Sequence, residues 1–326
     1  MTKGRGQAIG FMLPWAIGFV VMIAVPMFAS LLISFTDAEG ALSVGDLRWV
    51  GAKHYREAVG WSQASLPTDG DPLFYKSLQN SLVYTLLAVP LGLTLSLAVA
   101  LLLHQPFRGM SIVRGLVYLP HLMGGVATVI IWSWLLNPQF GWINEGIRTF
   151  YALLDPVVRV FNDVGTRDWQ VPGWLYSPVW CKPALALMSA WAMGGAMLIF
   201  LAALRGIPES SYDAARLDGA GVCKRFGHVT WPQITPAVLF NLLVSSVFCM
   251  QSFTESYLLG NRSQEDGLLF YVVYVYESAF QPPYRLGYAC ALAWIFVVLL
   301  ILVGTPLLWT SRWWVHRTRW TEGAAR

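Results

Sequence analysis

The chain is short of charge. Asp, Glu, Lys and Arg supply 12% of its 326 residues, about half the ~25% of an ordinary soluble domain. That deficit excludes a water-surrounded globule and points to lipid. A formal net charge of +4 is too small for a nucleic-acid binder, and no basic patch is interleaved with stacking aromatics. Cysteine is scarce as well. Cys181, Cys223, Cys249 and Cys290 stand singly, so no disulfide framework, redox pair or metal site is expected. The five histidines are far apart in sequence. The chain has no HExxH, no GxxxxGK[ST] phosphate loop and no GxSxG elbow. No catalytic residue and no cofactor of its own are therefore expected.

What the chain has is long uncharged runs. Gly6–Thr36, Ser77–Phe107, Gly115–Asn144, Pro183–Leu204, Trp231–Thr254 and Leu286–Ser311 contain no Asp, Glu, Lys or Arg. A helix needs about 20 apolar residues to cross a bilayer. An all-α membrane protein with six transmembrane helices is predicted, at about 10–34, 77–103, 115–137, 183–204, 235–258 and 287–310. The first run follows Lys3 and Arg5. It exceeds the about 7–15 residues of a signal-peptide core, so it is expected to stay as an anchor.

Six spans put both ends on one side, together with the connections around 104–114 and 204–234. Lys and Arg are about twice as dense there as on the other side, which makes that side cytoplasmic. The middle of every span lacks ionisable groups, which argues against an ion- or proton-coupled carrier. Outside, the apolar stretch Gly267–Phe280 is too short to span and is expected to form an interfacial helix. Trp169, Trp174, Trp180, Trp313, Trp314 and Trp320 suit a headgroup belt. One or two of the tryptophans could instead stack on sugar.

The connection between spans four and five is the densest in charge. Pro208 and Glu209 suit a helix first turn, and Asp213 and Arg216 lie at i,i+3. Gly219 or Gly221 can take the left-handed conformation that ends a helix. A second helix, Val222–Thr230, would carry Val222, Phe226 and Val229 as one apolar stripe and close at Pro232. Ala214, Ala215 and Ala220 leave the bend nearly bare of side chain. Such a knob can enter a groove on another protein. It could equally be an amphipathic linker on the membrane surface.

The same residues carry a family resemblance. "IPESSYDAARLDGAGVCKRFGHVTWPQITP" resembles the EAA signature of permease subunits of binding-protein-dependent ABC importers. Ile207, Pro208, Ala214, Ala215, Asp218, Gly219, Ala220, Phe226, Pro232 and Pro236 match, while Asp213 stands where the family has its first Glu. "LPWAIGFVVMIAVPMFASLLISFTD", "NSLVYTLLAVPLGLTLSLAVALLL" and "RGLVYLPHLMGGVATVIIWSWLL" follow in the family's order. They resemble the first permease of maltose- and glycerol-phosphate-type systems.

The resemblance implies one permease domain over 1–326 with the type I importer fold, in the inner membrane. It also implies a second permease subunit, two ATP-binding subunits that carry ATP and Mg, and an extracytoplasmic solute-binding protein. Segment 207–232 would be the coupling segment. Tyr212, Asp213, Ala214, Ala215, Asp218, Gly219, Ala220, Gly221 and Phe226 would then meet an ATPase subunit.

A substrate path is suggested by polar residues in the fifth span. Asn241, Ser245, Ser252 and Glu255 fall on one face of a continuous helix, with Gln251 beside it and Glu255 near the outer surface. Helix–helix hydrogen bonding uses the same residue types, as close packing does Gly194 and Gly195. A permease for another small polar solute is the alternative. A secondary transporter lacks its ionisable groups here, and a membrane enzyme lacks its catalytic constellation.

Overall fold

The computed structural model describes residues 3–38, 48–60, 71–105, 108–161, 171–260 and 266–316. Trp169 and Trp320 lie outside them. Among the described residues the structure is helical, with one isolated bridge between Thr36 and Trp49. The helices are α1 (Lys3–Phe19), α2 (Val25–Ile33), α3 (Lys53–Val59), α4 (Pro72–His104) and α5 (Met110–Leu122). They continue as α6 (Gly125–Leu135), α7 (Trp142–Phe161), α8 (Cys181–Trp191), α9 (Gly194–Arg205) and α10 (Glu209–Leu217). The last five are α11 (Val222–Arg225), α12 (Trp231–Met250), α13 (Thr254–Gly260), α14 (Tyr271–Phe280) and α15 (Leu286–Trp314).

Among the described residues, four stretches are long and apolar enough to cross a membrane: Phe11–Ile33, Pro72–His104, Val222–Gly260 and Leu286–Trp314. Two bent pairs bring the number to six if each is one span. α5 and α6 meet at 97°, and α8 and α9 at 50°.

The chain forms two compact units: Met1–Tyr75 with Val272–Ile301, and Lys76–Tyr271 with Leu302–Arg326. In the first, no residue of Phe11–Ile33 is buried, and Phe11 and Met22 are 88% and 76% exposed. This rod therefore presents its apolar surface to lipid or to another subunit. α15 begins tightly packed. A Cβ on Gly287 would lie 2.9 Å from His54 Nε2, and the Gly287 amide donates to the Ala38 carbonyl at 3.2 Å.

Asp71 organises the rest of this unit. It caps α4, its Oδ1 accepting from the Leu73 and Phe74 amides at 3.0 and 3.4 Å, with Pro72 at the first helical position. Its Oδ2 accepts from the hydroxyls of Tyr274 and Tyr288. Arg285 pairs with Glu57 and lies over the Tyr288 ring, 4.3 Å from its centre.

The second unit holds two apolar clusters. One gathers Tyr84, Val129, Trp132, Leu185, Met188, Leu268 and Phe270. The other joins the end of α4 (Ala100, Leu103) to α9 (Met197, Phe200, Leu204), Ile207 and Ile234. The first cluster corrects the interfacial helix expected over Gly267–Phe280. α14 starts only at Tyr271, and Leu268, Phe270 and Tyr271 are completely buried. Asn80 Nδ2 donates to the Asp266 and Leu269 carbonyls at 2.8 and 2.9 Å, and the Tyr271 amide donates to Ser81 Oγ at 2.9 Å. Polar groups of α4 thus satisfy this backbone, and the segment packs into protein. Trp174 likewise faces inward, its Nε1 donating to Asn144 Oδ1 at 2.7 Å.

Two wide turns precede prolines. Val20–Ala24 and Phe226–Thr230 are π turns, followed by Val25-Pro26 and Trp231-Pro232. The amides of Val25 and Trp231 donate to the carbonyls of Val20 and Phe226. A proline has no N–H, and its ring clashes with the carbonyl four residues back. The wider turn shifts that carbonyl aside. Pro232 therefore does not close the helix, as the sequence suggests, and the apolar stretch runs on from Val222 to Gly260.

Burial raises the Asp71 carboxyl pKa. The hydroxyls of Tyr274 and Tyr288 and the two amides outweigh this and hold it below its ordinary 3.8. Asp71→Asn should cost about 2 kcal/mol of stability near neutral pH. Because the folded value is depressed, this advantage is complete above pH 3.8 and lost as pH falls through the lower folded value. Heat denaturation in detergent across pH measures both, and equal midpoints near neutrality would remove the role.

Candidate functional site: a protruding turn and a polar cluster

The turn is built by its ends. Pro208, in extended conformation, precedes α10. After Leu217 the chain reverses at Gly219, which has φ +71°. The Gly219 amide donates to the Arg216 carbonyl at 3.0 Å, and the Ala220 amide to Ala215 at 2.9 Å. This paired closure needs a left-handed residue. A Cβ on Gly219 would meet nothing within 4 Å, so the backbone angle and not space demands glycine. Gly221 has φ −67° and simply precedes α11.

Asp213 and Arg216 pair at 2.8 Å, both more than half exposed, which contributes at most about 1 kcal/mol. Asp213, Ala214, Asp218 and Gly219 are exposed, and Ala215 and Ala220 half-buried. Leu217 is 90% exposed and Val222 73%. Tyr212 faces inward, its hydroxyl 3.0 Å from Thr230 Oγ1, in contact with the second apolar cluster. The expected stripe of Val222, Phe226 and Val229 does not form. The π turn breaks the 3.6-residue register, leaving Val222 exposed while Val229 packs on the cluster. Phe226 sits against Trp231, ring centres 6.3 Å apart.

The polar line of the fifth span is divided as well. Asn241 is buried, and its Nδ2 donates to the Ala196 carbonyl at 3.4 Å, which makes it a helix–helix contact. Ser245 is half-buried. α12 ends at Met250 with Gln251 exposed at its C-cap. Ser252 and Glu255 therefore lie beyond the helix that carries Asn241. Ser252 Oγ donates to Glu255 Oε2 at 3.2 Å.

Around them the fold brings residues that no sequence periodicity links. The Tyr84 side chain stands beside Ser189 and Ser252. Glu255 Oε1 lies 3.4 Å from where a Gly125 Cβ would stand, at the first residue of α6. A carboxylate suits that helix end, where backbone N–H groups are unpaired. The cluster joins α4, α8, the α12–α13 break and the α5–α6 bend.

The α8–α9 bend is held by side chains from neighbouring helices. At the α8–α9 break the Ala192 carbonyl lies 3.0 Å from His121 Nδ1, and Ser96 Oγ donates to the Met193 carbonyl at 3.4 Å. Gly194 and Gly195 are close-packing positions. Cβ atoms there would come within 2.9 Å of Tyr118 and 3.0 Å of His121.

Broken apolar helices with a protruding, glycine-closed turn define a membrane-embedded transport subunit. The chain belongs to the binding-protein-dependent transport system inner membrane component family, whose model matches residues 19–320. It is 33% identical to the probable ABC transporter permease protein YesP of Bacillus subtilis, over 97% of this chain and 94% of that one. It is 26% identical to the lactose transport system permease protein LacF of Rhizobium radiobacter, over 74% and 77% of the two chains. The fold matches a chain of a bacterial ABC transporter that imports the acidic polysaccharide alginate. The TM-score is 0.72, at 20% identity and 95% and 96% coverage. The chain is thus a multi-pass inner-membrane permease subunit with the type I importer fold.

Gly194→Val would press on Tyr118 and should cost about 1–3 kcal/mol. Gly92→Ala, with nothing within 4 Å, should gain up to ~1 kcal/mol as a helix interior. Thermal midpoints of the two purified variants check this, and an unaffected Gly194→Val would deny the close packing.

Proposed function

We propose that this chain is the translocating subunit of an ATP-driven importer for a sugar or related polyol, delivered by an extracytoplasmic solute-binding protein. The turn Tyr212–Gly221 carries this reading. It is stiff at its base, through Tyr212 and Thr230, and small and exposed at its tip. Such an element passes on a rigid-body push. ATP and Mg belong to two partner subunits, one of which receives the turn. Asp213 and Asp218 supply polar contacts, Ala214, Ala215 and Ala220 permit close approach, and Gly219, Gly221 and Phe226 shape the bend.

A second permease subunit completes the path, and the exposed rod Phe11–Ile33 offers one apolar surface for it. Both termini and the turn face the cytoplasm, in keeping with the density of Lys and Arg there. Sugar class rests on relatives named for lactose and for polygalacturonan/rhamnogalacturonan transport. Gln251, Ser252 and Glu255 are the path residues retained, with Tyr84 and Ser189 beside them; Asn241 and Ser245 contribute to the helix wall. Hydroxyl and carboxylate groups of this kind suit a hydroxyl-rich solute.

The test is gentle detergent purification of the tagged chain from its native membrane, followed by ATPase assay. Co-purifying ATPase that rises with binding protein and sugar is expected. Gly219→Val, a β-branched residue forced to positive φ, should remain in the membrane and lose the stimulation and uptake. Normal uptake by that variant would contradict the coupling role, and absence of any ATPase even after cross-linking at Ala215 in intact membranes would contradict the importer.

A further inference from the structure

Beside the turn, the ends of α4 and α9 and the start of α11 enclose a cavity of about 660 Å³. Its floor is apolar, including Leu101, Leu204 and Ile207. Its rim is cationic. Arg205, Arg216 and Arg225 line it with His104, and Glu209 is the one acid. Arg216 is occupied by Asp213. Arg205 and Arg225 have no such acidic partner among the described residues. Arg225 Nε and His104 Nδ1 are shielded from solvent yet have no hydrogen-bond partner among the described residues. An unpaired buried donor on a charged group is costly, so Arg225 Nε indicates an acceptor that would occupy the cavity.

The chemistry of that acceptor follows from the lining. Arginine forks match phosphate oxygens. The single counter-charge of Glu209 disfavours a dianion and leaves room for a singly charged phosphodiester. The apolar floor fits hydrocarbon and gives a free inorganic ion nothing to bind. His104 ends α4 and Arg205 ends α9, so the cations stand where membrane helices emerge at headgroup level. Basic pockets between spans on the cytoplasmic side are suited to anionic lipid heads.

We propose that this cavity binds an anionic phospholipid, with Arg205 and Arg225 on its phosphodiester and the apolar floor under the first carbons of an acyl chain. Occupancy would join α9 to α11 across the base of the turn and steady it. The regulatory consequence rests on the coupling role proposed above, and the cytoplasmic placement of the site on the orientation proposed there.

The experiment uses the complete importer in vesicles of phosphatidylcholine with or without phosphatidylglycerol. Native mass spectrometry of the extracted complex counts retained phosphatidylglycerol. Retention is expected, weakened about thirtyfold by Arg205→Gln with Arg225→Gln, since each near-surface cation contributes about 1 kcal/mol. Arg205→Lys with Arg225→Lys should recover much of it. Each protein's rate in phosphatidylcholine alone is its own reference, and phosphatidylglycerol should stimulate the parent above that rate and leave the Gln variant unstimulated.

Equal retention by parent and Gln variant would overturn the site. Displacement of the lipid by inorganic phosphate would overturn the lipid assignment in favour of a free-anion site. Retention by the isolated chain that vanishes on assembly would give the cavity to the ATPase subunit instead. Should no ATPase accompany the chain, the coupling reading fails, while retention by the isolated chain and its variants still decides the site.

Discussion

A chain in hydrocarbon must satisfy its backbone polar groups from within. Several departures from regular helix among the described residues are shaped by that demand. At the α8–α9 break the carbonyls of Ala192 and Met193 are met by His121 and Ser96. Before Pro26 and Pro232, π turns re-route the hydrogen bonds that proline cannot make. The segment before α14 is buried only because Asn80 and Ser81 take up its backbone groups. The α8–α9 bend is thus held by particular side chains and the π turns by re-routed backbone hydrogen bonds.

The same economy explains the turn. A helix ending outside the apolar layer needs a cap, and α10 obtains it from its own backbone through Gly219. No bulky side chain is required at the tip. That leaves Ala214 and Gly219 outward beside the exposed Leu217, while Tyr212 and the π turn anchor the base. Rigidity at the base and bareness at the tip come from one short sequence. Its matching residues are also those that resemble the EAA signature.

Much of the architecture was legible in advance. Uncharged windows located the apolar helices because lipid tolerates so few charges, and Asp213–Arg216 and the glycine closure followed from local spacing. The polar cluster was legible only in part. Ser252 and Glu255 stood out in a greasy run. Tyr84, Ser189 and Gly125 gave no signal, being a tyrosine, a serine and a glycine in other helices. Asn241 stood out equally and proved to be a packing contact, since a polar side chain in a span is drawn to a neighbouring carbonyl as readily as to a solute.

The sequence by itself determined that the chain crosses a membrane by helices, where its charge is concentrated and which glycine ends the turn. These depend on composition and on neighbours within a few residues. Only the tertiary structure decided that two apolar helix pairs are sharply bent, that Pro232 lies inside a helix, and that Leu268–Tyr271 is core. It also brought Tyr84 to Ser252, and Arg205 and Arg225 around one cavity. Those outcomes depend on which distant side chain reaches an unpaired backbone group or fills a gap between helices, and no local pattern encodes that distance.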